Sequence, residues 1–182
     1  MTSPAQDFLT QFRHQLRPAL GGLFFSLLTL VFGFGIGIGF GAAEDKMKGR
    51  LAASAAAVRT SVYKDNDAAI KANLDKAWSY VKRAHLHAGG LGATAVALIL
   101  LTVALGAPAG LTRAISLGLG VGGLGYSVYW LLAADRLPGM GNSTAAKESL
   151  AWLAMPSSGA IVAATLAVTA LVAARMRARS TD

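Results

Sequence analysis

Long apolar runs alternate with short polar stretches along this chain, and the pattern predicts four membrane-spanning helices. A spanning helix needs about 20 mostly apolar residues. Four segments meet that requirement, at about residues 19–43, 88–107, 111–134 and 156–175. Because an unpaired strand in lipid would leave its backbone amides without hydrogen-bond partners, we expect helices rather than strands in all four.

The only extended polar stretch, residues 44–86, lies between the first and second spans. Its first half carries apolar residues at three- and four-residue steps, which is typical of an amphipathic helix: Met47, Leu51, Ala55 and Val58. A turn at residues 64–67 and a second amphipathic helix follow. The fold predicted for residues 1–182 is therefore an all-α membrane protein, a single membrane domain with a polar helical hairpin between its first two spans. The hairpin either lies against the membrane or stands out from it.

Composition supports a membrane protein and excludes several other classes. The chain is 54% hydrophobic and 14% charged, whereas soluble domains carry about 25% charged residues. The net charge of +8 comes from basic residues that flank apolar runs, so we expect the lipid bilayer and its anionic headgroups as partners, and no nucleic acid. The absence of cysteine excludes disulfides and thiolate metal sites. The expected location is a bacterial inner membrane, which the chain would cross several times.

Glycines in the first and third spans predict close helix packing. Gly33, Gly37 and Gly41 are spaced four residues apart, and Gly118 and Gly122 repeat that spacing in the third span. Small residues at this spacing let two helix backbones approach closely in lipid. We expect these ridges to pack a homo-oligomer or to contact other membrane subunits; a channel lined by the glycine faces is the alternative.

An even number of spans gathers a set of metal-ligating residue types at the membrane face opposite the two termini. Histidine with carboxylate suits zinc, iron or copper, and histidine with methionine suits reduced copper, so copper or haem b is the candidate cofactor. The alternative is that the histidines bind lipid headgroups or cap helices. The candidate ligands are His85, His87, Glu44, Asp45, Glu148, Met47 and Met140.

The spacing of the two histidines limits how they could share an ion. His85 and His87 are two residues apart, so on a continuous helix they point about 200° apart. They could bind one ion only if the helix frays, which Gly89 and Gly90 would permit. The sequence shows no nucleophile elbow, no HExxH motif and no phosphate-binding loop, and therefore gives no indication of an enzyme.

The stretch Ala84–Gly92 reads Ala-His-x-His-x-x-x-Leu-Gly. It resembles a pattern that opens a span in small four-span membrane proteins related to haem–copper oxidase subunit I. The resemblance implies a place among respiratory or copper- and haem-handling membrane proteins, with His85 and His87 as ligands. The chain departs from that pattern because its later spans contain no histidine.

Two functions are therefore expected from the sequence. The first is an accessory or structural subunit of a membrane complex, with a metal or haem site at the loop-side interface. The alternative is a cofactor-free homo-oligomer or channel packed through its glycine ridges.

Overall fold

The computed structural model describes residue 10 and residues 12–179, and every regular element among them is a helix. Four helices are long and apolar enough to cross a membrane, which confirms the all-α class and the number of candidate spans. These four are α1, α4, α5 and α7; a short 3-10 turn at Arg17–Ala19 precedes α1. The helices are α1 (Leu20–Ala42), α2 (Glu44–Ala57), α3 (Arg59–Tyr63), α4 (Asp67–Ala104), α5 (Ala109–Met140), α6 (Ser143–Glu148) and α7 (Ala151–Arg179).

The longest helix, α4, joins the polar stretch to the second span without interruption. Asn66 caps its start by accepting a hydrogen bond from the backbone N–H of Ala69 at 3.0 Å. Its 38 residues extend for about 57 Å and pass straight through Gly89 and Gly90. The packing of α4 against α1 and α5 outweighs the weak helix propensity of the two glycines. The fraying needed for His85 and His87 to share an ion is therefore absent from α4.

The third and fourth spanning helices both contain a proline, and the fourth begins earlier than the sequence predicts. We expected this span to begin near Pro156, but α7 begins at Ala151 and contains that proline. A proline's fixed φ suits a helix, and its missing N–H removes only one backbone hydrogen bond near the helix start. The third span likewise extends through Pro138 to Met140, and α5 ends where Gly141 adopts a φ of 65°.

Helix α5 is the centre of the bundle. It packs against α1, α4 and α7, and α1 also packs along α4. Helix α7 is held almost entirely by α5, with a small contact to α4. Three helices thus form a closed group, and the fourth lies against the outer side of its central member.

The buried residues form two clusters, one toward each end of the bundle. The loop-end core contains the aromatic residues Tyr80, Tyr129 and Trp130 together with Leu137 and Leu150. The terminus-end core consists of small and aliphatic residues from the 3-10 turn before α1 and from α4, α5 and α7: Ala19, Ala95, Ile99, Val103, Ile115, Leu119, Ala164 and Val168.

The backbones of α1 and α5 approach each other closely where the two helices cross. A Cβ atom added at Gly22 would overlap the backbone carbonyl of Ser116, and one added at Gly120 would overlap the carbonyl oxygen of Gly22. Only glycine leaves room for two helices at this distance. The crossing therefore depends on these two glycines, which lie outside the ridges predicted from the sequence.

The predicted ridge glycines face helices of the same chain. A Cβ at Gly33 would lie 3.0 Å from the Ala88 side chain, and one at Gly37 would lie 3.0 Å from the His85 ring, both on α4. Gly41 has no neighbour within 4 Å of such a Cβ.

In the third span the ridge faces α7 in the same way. A Cβ at Gly118 would lie 3.3 Å from the carbonyl oxygen of Ala160, and one at Gly122 would lie 2.8 Å from that of Ser157. Four of the five predicted ridge glycines thus serve contacts within the protomer, and the fifth, Gly41, faces open space.

Candidate functional site at the loop end of the bundle

His85 joins α4 to α1 through its imidazole ring. Its Nδ1 lies 2.9 Å from the carbonyl oxygen of Gly33. A carbonyl oxygen only accepts hydrogen bonds, so Nδ1 carries the hydrogen and donates it. The ring occupies the gap left by the missing side chain of Gly37, and Phe40 meets it edge-on at a centroid distance of 5.4 Å. The half-buried histidine therefore ties two candidate spanning helices together.

His87 faces the opposite neighbour, α5. Its ring stacks on Tyr126 with centroids 5.2 Å apart and the two planes inclined by 27°. Trp130, one turn further along α5, lies edge-on to His87 at 6.1 Å. Stacked and edge-on aromatic pairs contribute about 0.5–1.5 kcal/mol beyond the area that they bury. His87 thus belongs to the packing between α4 and α5.

The two histidines therefore do not form a common site. One ring contacts α1 and the other contacts α5, because α4 is continuous and successive residues turn by about 100°. A bis-histidine haem or a shared copper ion would require His85 and His87 to leave these contacts.

The carboxylates and thioethers predicted as ligands are exposed or have other contacts. Glu44 pairs with Lys48, Asp45 and Glu148 are exposed, and Met140 is 40% exposed. The sulfur of Met47 lies 3.1 Å from the position that a Cβ atom added at Gly39 would occupy. Among the residues that the structure describes, no group of three or more His, Asp or Glu side chains could hold a metal ion. The predicted metal set is brought to one end of the molecule but not to one point.

An aromatic cluster between α4 and α5 is the densest set of side-chain interactions at this end. Arg83 places its guanidinium 4.5 Å from the centre of the Trp130 ring and 5.6 Å from that of Tyr80. Tyr80 and Tyr129 each meet Trp130 edge-on with centroids 5.0 Å apart. A cation over an aromatic face contributes about 0.5–2 kcal/mol, depending on how far it is desolvated.

Trp130 is 8% exposed, and its indole Nε1 has no hydrogen-bond partner in the described structure. The sequence patterns considered above do not predict this cluster. The spacing of its residues could have indicated it, because residues three or four apart share one face of a helix. Tyr80, Arg83 and His87 are spaced in this way on α4, and Tyr126 and Trp130 on α5.

Long-range polar contacts attach the α2–α3 segment and the start of α4 to the end of α5. The Tyr63 hydroxyl donates to the carbonyl oxygen of Pro138 at 2.7 Å, and the Asn73 amide donates to that of Gly141 at 3.1 Å. Arg50 pairs with Asp135 at 2.8 Å. Burial raises the pKa of Tyr63 above its ordinary value, and the Asn73 side chain offsets part of that rise. This segment is therefore fixed to the bundle at several points.

Comparisons with protein-family models, with curated proteins and with solved structures found no match for this chain.

Proposed function

We propose that this protein is a cofactor-free structural or accessory subunit of a membrane complex. Its four long helices anchor it in the bilayer. Helices α2 and α3 and the first half of α4 form a basic helical platform at one membrane surface, which is the polar hairpin expected from the sequence. The role of such a protein is to hold the platform rigidly at the surface for lipids and neighbouring subunits.

The main support for this proposal is that both histidine rings take part in contacts between helices. His85 donates to a backbone carbonyl of α1 and fits into the notch at Gly37, while His87 stacks on Tyr126. Each ring sits in a different helix–helix contact. These contacts favour a packing role for both residues over the metal or haem role that the sequence suggested.

The platform is supported by the continuity of α4 and by its charge. One uninterrupted helix runs from Asp67 in the polar stretch to Ala104 at the far end of the second span. Such a helix favours a hairpin that stands out from the bilayer over one that lies flat. Residues 44–86 contain nine Lys and Arg and five Asp and Glu. Anionic headgroups attract a basic surface by about 1 kcal/mol per basic side chain near the membrane.

The outward faces of the bundle leave room for partners in the membrane. Large apolar side chains of α1 are exposed at three- and four-residue steps: Leu20, Phe24, Leu27, Val31, Phe34 and Ile38. Lipid chains or the helices of other subunits would cover this face. Because the predicted glycine ridges are used within the protomer, a complex would form through such faces instead.

Cysteine labelling tests the platform directly, because the natural chain contains no cysteine. Single variants Ser61→Cys in α3, Thr144→Cys in α6 and Ala109→Cys at the start of α5 all place the thiol at a described, exposed position. In sealed membranes, a membrane-impermeant maleimide should label Ser61→Cys and Thr144→Cys from one side and Ala109→Cys from the other. Labelling after detergent addition controls for access. Ser61→Cys and Thr144→Cys on opposite sides would contradict the proposal.

A further inference from the structure

An open cleft of about 360 Å³ lies between α2 and α4. Its walls are mainly apolar, and two opposite charges, Lys48 and Asp75, line it as well. The function proposed above assigns no role to this cleft. Its lining residues are Lys48, Gly49, Leu51, Ala52, Leu74, Asp75 and Trp78.

The cleft lies where the chain leaves the apolar part of the bundle. The Trp78 ring packs edge-on against Phe40, in the last turn of α1, with centroids 5.4 Å apart. Helix α1 has 23 residues and is about 34 Å long, slightly more than the hydrocarbon thickness of a bilayer. Trp78 is thus at the level of the headgroups, where tryptophan is enriched in membrane proteins.

The two charges of the cleft come from different helices. The Lys48 ammonium, from α2, lies 5.1 Å from the centre of the Trp78 ring. Asp75 precedes Trp78 by three residues on α4, so these two residues share one face of that helix. The cleft therefore offers one cation from α2 and one anion from α4, with the Trp78 ring beside them.

We propose that this cleft binds the headgroup of a zwitterionic phospholipid, with the phosphate at Lys48 and the ammonium at Asp75. Such a headgroup carries one phosphate and one ammonium joined by a two-carbon spacer, which complements the one cation and one anion that line the cleft. The proposal rests on the proposed function, because it needs the platform to stand at a membrane surface.

The rest of the cleft suits the remaining groups of the ligand. Leu51, Leu74 and the Trp78 ring offer apolar contact to the spacer carbons, and an aromatic face also attracts an ammonium group. Lys48 pairs with Glu44, and Asp75 pairs with Lys71, but both ion pairs are exposed. Exposed pairs of this kind are weak, so each charged group can turn toward a ligand at little cost.

Native mass spectrometry of the full chain in detergent tests the site. The probes are phosphatidylethanolamine and phosphatidylglycerol with identical acyl chains, the second being anionic and without an ammonium. The unmodified protein should bind one phosphatidylethanolamine saturably and more tightly than phosphatidylglycerol. Asp75→Asn should weaken phosphatidylethanolamine binding about fivefold and leave phosphatidylglycerol unchanged, whereas Lys48→Ala should weaken both.

Matched controls lie outside the cleft. Asp45→Asn removes an exposed carboxylate from α2, and Lys76→Ala removes an exposed lysine from α4. Neither should change lipid binding, and circular dichroism should show unchanged helix content in all four variants. Equal binding of the two lipids by the unmodified protein, or an Asp75→Asn variant that binds like it, would overturn the site. If Ser61→Cys still labels at the surface in that case, the platform stands alone; a Ser61→Cys thiol shielded in membranes overturns both.

Discussion

The two ends of this bundle are held together in different ways. At the terminus end, α1 and α5 cross with their backbones in contact at Gly22 and Gly120, and the core is small and aliphatic. At the loop end, large rings fill the space, and side chains such as His85 and Tyr63 bond to backbone carbonyls of other helices.

The difference shows what each end can tolerate. Close backbone packing works in lipid without a hydrophobic driving force, but it leaves no space for a single added atom. At the loop end many rings and hydrogen bonds each contribute to stability, so the loss of one side chain removes only the contribution of that side chain. We therefore expect substitutions at the terminus-end crossing to be more damaging than substitutions at the loop end.

Gly120→Ala should have the largest effect. Its Cβ would collide with the carbonyl oxygen of Gly22 and lie 3.1 Å from the Cβ of Phe25, so the two helices must separate. Overpacking of this kind costs about 1–3 kcal/mol, and backbone atoms that cannot move aside favour the upper half. Unfolding by SDS in mixed micelles, followed by circular dichroism, measures the loss.

Gly35→Ala is the matched control, because a Cβ at Gly35 would meet nothing within 4 Å. Alanine favours a helix over glycine by up to about 1 kcal/mol, so this variant should be neutral or more stable. Equal destabilisation by Gly35→Ala and Gly120→Ala would show that the crossing has no special role.

His85→Ala should come next. It removes the hydrogen bond to Gly33 and empties the notch at Gly37, at a cost of about 2 kcal/mol. His87→Ala loses a ring stack with Tyr126 and should cost about 1 kcal/mol. The double variant should equal the sum within about 0.5 kcal/mol, since the two rings contact different helices. Two ligands of one ion would instead give a double variant no worse than either single one.

Arg83→Met should cost about 1 kcal/mol, because it removes the cation over Trp130 and Tyr80 while keeping an apolar stem. Lys82→Met, one residue earlier and exposed, is the control and should be neutral. The same SDS titration measures both. Identical stabilities for the two variants would remove Arg83 from the loop-end packing.

Tyr63→Phe should have the smallest effect, about 0.5 kcal/mol near neutral pH, through the lost hydrogen bond to Pro138. Burial raises the pKa of Tyr63, so its folded-state value exceeds the ordinary value of about 10. Its contribution is present below pH 10 and is lost as the pH rises through the folded-state pKa. Stability measured from pH 8 to 11 should therefore fall more steeply for the unmodified protein than for Tyr63→Phe. Parallel curves would contradict this.

The sequence was enough to predict the four helices, because apolar length and the cost of unpaired backbone in lipid leave little choice. It also indicated that His85 and His87 would diverge. It could not show which helix each ring meets, since that depends on how α1 and α5 are placed around α4. The contact between His85 and Gly37 depends both on the absence of a side chain at Gly37 and on the placement of α4 opposite this part of α1.

The sequence alone also does not predict that α4 continues through Gly89 and Gly90. Glycine pairs weaken a helix in water by roughly 1 kcal/mol each, but the surrounding apolar run and neighbouring helices outweigh that penalty. The cleft between α2 and α4 depends on the angle between two helices, which no local pattern encodes.

Metal analysis together with an absorption spectrum, on protein purified without added metal, tests most directly whether the two histidines pack helices. We expect far less than one copper, iron or zinc per chain and no Soret band, for the unmodified protein and for His85→Ala alike. A stoichiometric metal or a haem spectrum in the unmodified protein that disappears in the His85→Ala variant would contradict it.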